Sequence, residues 1–144
     1  MKRFPYILLF FFLITSISYS QINVPKKWKG GSGTTYIENN STFQLTGNPD
    51  ILKIKSYVVK LYKAVDMQTV VRKTDDGGYH FTANFNMISK FPWTMDIDFN
   101  SSILIIEMTH EINIGVTMTE TEEQEIRKFQ VQQTEKIIKE VQSL

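Results

Sequence analysis

From Tyr79 to Ile112 the chain alternates apolar and polar residues with few interruptions, and that pattern dictates a sheet with one greasy and one wet face. Tyr79, Phe81, Ala83, Phe85 and Met87 share one side, and His80, Thr82, Asn84 and Asn86 the other. Just before them, Asp75-Asp76-Gly77-Gly78 is a hairpin signal, because glycine accepts the positive φ of a tight turn, so Val70 and Val71 belong to a partner strand. Ser89-Lys90-Phe91-Pro92 interrupts the pattern. Trp93, Met95, Ile97 and Phe99 then alternate with Thr94, Asp96 and Asp98, and Asn100-Ser101-Ser102 turns the chain. The last strand runs from Ile103 to about Ile114, with Leu104, Ile106, Met108, His110, Ile112 and Ile114 on its inner face. Matching the apolar faces about that turn sets Trp93 opposite His110, Met95 opposite Met108 and Asp96 opposite Glu107.

Two helices flank these strands. Asn48 as N-cap, Pro49 at the first helical position and Asp50 at the positive end open the first helix, and Ile51, Ile54, Val58, Leu61, Tyr62 and Val65 fall on one face of it. The second begins at a doubled capping box, Thr119-x-x-Glu122 and Thr121-x-x-Gln124, with Ile126, Phe129, Ile137, Val141 and Leu144 on its apolar face. Its acidic first turns suit the helix dipole better than a calcium loop. Ahead of the first helix, Thr34 to Leu45 reads as two short strands about an Asn39-Asn40-Ser41 turn.

The other end of the chain concerns destination. Lys2 and Arg3, an apolar run from Tyr6 to Ile17 and Ser18-Tyr19-Ser20 before Gln21 have the form of a cleaved signal peptide over residues 1–20, too short to span a bilayer. Residues 21–33, with Gly30-Gly31-Ser32-Gly33, read as a flexible lead, and 34–144 as one domain. Cleavage takes the basic count from 16 to 14 against 15 acidic residues. That near-neutral balance argues against nucleic acid as a partner. With no cysteine in the chain, thiolate metal sites, thiol nucleophiles and disulfides are excluded. The expected product is secreted or periplasmic, with no transmembrane segment after cleavage.

Element order therefore predicts an α+β fold: an antiparallel sheet of four to six strands with two helices packed on one face, in the order β(β)-α-β-β-β-β-α. With its Asp-Asp-Gly-Gly hairpin, this order resembles the TATA-binding-protein-like and helix-grip type of fold, over roughly Phe43 to Val141, and the small exported bacterial domains of unknown function assigned to it. The resemblance implies a sheet that grips helices, with room for an apolar cavity between them. It assigns no site to any residue here, and DNA binding does not follow from it.

Four groups of residues stand out. Phe81, Phe85, Trp93, Phe99 and Met108 line the space under the helices, either as core or as the wall of a hydrophobic-ligand site. His110 interrupts the same apolar face and needs a hydrogen-bonding neighbour there. Asp96 and Glu107, directly opposed with Asp98 and Glu111 nearby, repel unless a cation or basic partner relieves them. Asp96 and Asp98, two apart on one strand, are roughly 6.5–7 Å apart, a spacing that inverting glycosidases also use. Trp28 among Lys26, Lys27 and Lys29, and Gln133 in the apolar face of the last helix, are candidate partner contacts, while His80 reads as simply solvent-exposed. The pattern contains no nucleophile elbow, zinc motif or cofactor loop, so no cofactor is expected. The functional expectation is a non-catalytic binding or envelope-accessory module with a protein partner, then a carrier of a small hydrophobic ligand, and last a carboxylate-dependent hydrolase.

Overall fold

The computed structural model describes residues 22–63, 69–85 and 90–144. The expected signal peptide over residues 1–20 lies outside the described residues, as do Val65 and Met87. Strands β1 (Lys26–Lys29) and β2 (Thr35–Gln44) precede helix α1 (Ile51–Lys63). Strands β3 (Thr69–Lys73), β4 (Tyr79–Asn84), β5 (Trp93–Phe99) and β6 (Ile103–Ile112) follow, and helix α2 (Glu120–Ser143) closes the chain. The strands form one antiparallel sheet ordered β1-β2-β6-β5-β4-β3. Helix α1 carries the chain from β2 to the far edge, and the β3–β6 meander brings it back until β6 lies beside β2.

Register follows from the alternation. Trp93 faces His110, Met95 faces Met108 and Asp96 faces Glu107, as the pattern requires. Phe81, Met95, Ile97, Phe99, Leu104, Ile106 and Met108 are buried on the inner face, where Ile54 and Val58 of α1 and Ile137, Ile138 and Val141 of α2 meet them in a single cluster. Each such side chain contributes about 1.5–3 kcal/mol through removal from water. A smaller cluster of Ile37, Phe91, Ile112 and Ile126 continues the seam toward the start of α2.

The helix starts show how local chemistry sets boundaries. Thr119 caps α2 with a reciprocal box: its hydroxyl accepts from the Glu122 N–H, and the Glu122 carboxylate accepts from the Thr119 N–H. Thr121 is already inside the helix and its second box is unused. For α1 the expected cap is corrected. Asp50, not Asn48, accepts from the N–H groups of Leu52 and Lys53, and its carbonyl receives the first helical bond, from Ile54. Asn48 instead lies in the left-handed region at φ 54°, so the chain is still turning there.

The N-terminal region departs most from expectation. Residues 26–29 are not a flexible lead but an edge strand paired with β2, and Gly30-Gly31-Ser32-Gly33 is the turn joining them, closed by Gly33 N–H to Gly30 O at 3.0 Å with Gly33 at φ 90°. Lys27 reaches Glu123 of α2 at 2.5 Å, and Arg127 donates to the Pro25 carbonyl, which fastens this edge to the helix. Likewise Thr35–Gln44 is one strand with no turn at Asn39-Asn40-Ser41. Asn39 and Ser41 point into the core and are buried because Asn23 satisfies them: Asn23 N–H donates to Ser41 Oγ (3.0 Å), Ser41 Oγ donates to Asn39 Oδ1 (2.9 Å), and Asn39 Nδ2 donates to Asn23 O. Two end residues are also corrected. Ile114 is 70% exposed because β6 stops at Ile112 and a turn follows, and Leu144, just past the end of α2, is exposed rather than part of its apolar face.

Candidate functional site on the open face of the sheet

Both helices bury the inner face, so the outward side chains of the sheet form a surface of their own. Antiparallel pairing places Thr82, Asp96, Glu107 and Asn40 in one row across β4, β5, β6 and β2. Asn40 Nδ2 donates to Glu107 Oε2 at 3.2 Å, and Thr82 Oγ1 donates to Asp96 Oδ1 at 2.6 Å. One row along, Arg72, His80 and Asp98 are neighbours. His80 Nδ1 lies 2.5 Å from Asp98 Oδ1 and Nε2 lies 3.0 Å from Thr82 Oγ1. His80, read from sequence as simply exposed, is therefore part-buried and bonded on both ring nitrogens.

The carboxylates are crowded. Burial, then the charges of Glu38, Asp96 and Asp98, push the Glu107 carboxyl above its ordinary value. Toward the β1 edge the face turns aromatic: Trp28 stacks on Tyr36 with ring centroids 4.4 Å apart, its Nε1 donates to Glu38 Oε2 at 3.0 Å, and 45% of the residue remains exposed. Acidic and aromatic groups thus form a continuous band from β5 to β1.

Asp98, His80 and Thr82 stand in the order of an orienter, a base and a hydroxyl nucleophile. The Thr82 hydroxyl hydrogen is directed at Asp96. The amides of β4 and β5 lie in strands with a neighbour on each side. Among the described residues, no group of three or more His, Asp or Glu side chains is arranged to hold a metal ion.

The candidates on the inner face divide. Phe81, Phe99 and Met108 are core residues with at most 2% exposure. Phe85, Trp93 and His110 form a stacked column, with centroids 3.5 Å and 5.4 Å apart, and Phe129 meets Trp93 and His110 edge-on. Burial lowers His110 to about 4. The partner its sequence position demanded is Gln130 of α2, which sequence reading passed over in favour of Gln133. Gln133 is half-buried, whereas Gln130 and Thr134 are wholly buried on the stripe running from Ile126 to Ile137. A signal existed: Ile126, Gln130, Thr134, Ile137 and Val141 repeat at helical spacing, so Gln130 had to meet the inner sheet face.

Two hollows lie at the opposite end of the molecule. One, of about 430 Å³, is lined by the β2–α1 connection from Gln44 to Asp50 with Ile54, Val141, Gln142 and Leu144. The other, of about 370 Å³, lies beside Leu52, Tyr57, Lys60 and Leu144. Neither includes a residue proposed for ligand binding from sequence. No helix among the described residues is long and apolar enough to cross a membrane. No protein-family model, no curated protein and no solved structure matches the chain.

Proposed function

We propose that this chain is an exported, non-catalytic binding module whose open sheet face receives an extended, lysine- or arginine-rich segment of a partner protein. One observation carries the reading: Glu38, Glu107, Asp96 and Asp98 share the uncovered face of β2, β6 and β5, next to the exposed Trp28–Tyr36 stack. Burial, with the charges of Glu38, Asp96 and Asp98, raises the proton affinity of Glu107, so an arriving cation is favoured there, and an indole face accepts an ammonium or guanidinium group. Strands about 4.8 Å apart put the band about 15 Å across from β5 to β1, a length that four or five extended residues span.

Calorimetric titration of the Gln21–Leu144 chain with an oligolysine peptide tests the reading. Binding at low ionic strength is expected, weakening as salt rises and falling several-fold in Asp96→Asn and Glu107→Gln. An oligolysine that binds no better than an oligoglutamate refutes it. Export is tested separately, by fractionating cells that express the full chain and sequencing the N-terminus of the product. The carrier reading draws on the Phe85–Trp93–His110 column, with Trp93 half-buried. A small apolar molecule retained in native mass spectra would move the conclusion there.

A further inference from the structure

The buried polar contact between α2 and the sheet is directional. Gln130 is 0% exposed, and its Nε2 lies 2.8 Å from Ile37 O, 3.3 Å from Met108 O and 3.0 Å from His110 Nδ1. Carbonyl oxygens only accept, so the amide nitrogen must be the end that faces β2 and β6. His110 Nδ1 must then be an acceptor too, which fixes the imidazole as the neutral form with its hydrogen on Nε2. The other end of the amide, Oε1, is buried with no hydrogen-bond partner.

A proton on Nδ1 would set an N–H against the Gln130 amide hydrogens. Turning the amide over offers Oε1 to the imidazolium but drives that oxygen against two carbonyl oxygens. Neither orientation of Gln130 satisfies a charged His110. The surroundings give no relief, since the groups packed on the ring are Trp93 of β5, Phe129 and Gln130 of α2 and, across the pair, Ile37 of β2, none of which titrates in the acid range. Glu111 and Thr109, next to it on β6, point to the opposite face.

We infer that the Gln130–His110 contact is an acid-released latch, in which proton uptake by His110 frees the middle of α2 from β2 and β6 while the meander stays folded. Lowering of His110 to about 4 by burial supports the geometric argument. In the freed state the imidazole meets water and returns toward its ordinary value of about 6.5, so the opening equilibrium of α2 rises on the order of 100-fold between about pH 7 and pH 4.

Amide hydrogen exchange, corrected for intrinsic rates and recorded alongside the His110 ring resonances across that range, tests the latch. The expected result is loss of protection from Ile126 to Ile138 that tracks His110 protonation, with β4 and β5 amides still protected. His110→Phe, which keeps a flat ring in the stack, and His110→Gln, which keeps a polar side chain without titrating, are both expected to abolish the pH-dependent loss. Protection in α2 that holds through the His110 titration, an equal loss in both variants, or simultaneous loss in β5 would each overturn the inference.

Discussion

The ring of hydrogen bonds that ties the N-terminal segment to β2 gives a quantitative prediction. Asn39 and Ser41 occupy inward positions opposite Met108 and Ile106, where the pattern calls for apolar side chains, and are tolerated because Asn23 closes the circuit. Asn39→Ala removes two of its bonds and leaves the buried Ser41 hydroxyl without its acceptor, an expected cost of about 2–4 kcal/mol. Ser41→Ala strands the buried Asn39 Oδ1, at about 1–3 kcal/mol. The double variant removes both buried polar side chains at once. Only the backbone of Asn23, an exposed residue that water reaches, then loses its partners. Its cost should therefore fall short of the sum of the singles by about 1–2 kcal/mol. Urea denaturation of the four proteins gives the coupling directly, and limited proteolysis near Lys26–Lys29 should show the edge strand loosened in every variant. Strictly additive costs would refute the reasoning, since they would mean that the three groups do not satisfy one another.

Three shorter predictions follow from the electrostatics and the helix cap. Glu107→Gln removes a carboxylate facing Asp96 and should raise stability at neutral pH by about 0.2–1 kcal/mol, less in high salt, measured by denaturant midpoint. Asp76 in the β3–β4 turn is lowered from 3.8 to about 2 by hydrogen bonds from Thr74, Asn100 and the Gly78 N–H, so its contribution is complete above pH 3.8 and is lost as pH falls toward 2. Asp76→Asn should lower the neutral-pH midpoint and flatten that part of the acid limb in a thermal-melt series. Thr119→Ala, which dismantles the capping box of α2, should cost about 1 kcal/mol and fray the amides of Glu122 and Glu123 in hydrogen exchange.

Legibility in the sequence followed the range of the interactions responsible. The β5–β6 register could be read because period-two alternation on both strands and the Asn100-Ser101-Ser102 turn admit one pairing that keeps Met95 and Met108 on the same side. The α2 start could be read because a capping box is complete within four residues. Asn39-Asn40-Ser41 was misread as a turn because its composition is turn-like, while what holds it extended, Asn23 and the β6 ladder, lies 16 and more residues away. The lysine- and glycine-rich stretch before β2 was misread for the same reason. Its order comes from Tyr36 beneath Trp28 and from Glu123 and Arg127 of the last helix. At the candidate site, the Asp96–Glu107 opposition was visible in the register, whereas the bonding of His80 to Asp98 and Thr82 needed the β4–β5 pairing as well. Gln130 was missed because two lone polar residues, one on a helix stripe and one on a strand face, signal each other only when both elements are aligned.

The proposed function places the working surface on the open face of the sheet. Carbodiimide labelling of carboxylates, read by mass spectrometry with and without a saturating oligolysine peptide, tests this most directly. Protection of Glu38, Asp96, Asp98 and Glu107 is predicted, with Glu120, Glu135 and Glu140 of the last helix labelled equally in both samples. Uniform labelling of the sheet carboxylates in the two samples, or protection confined to the helix, would contradict it.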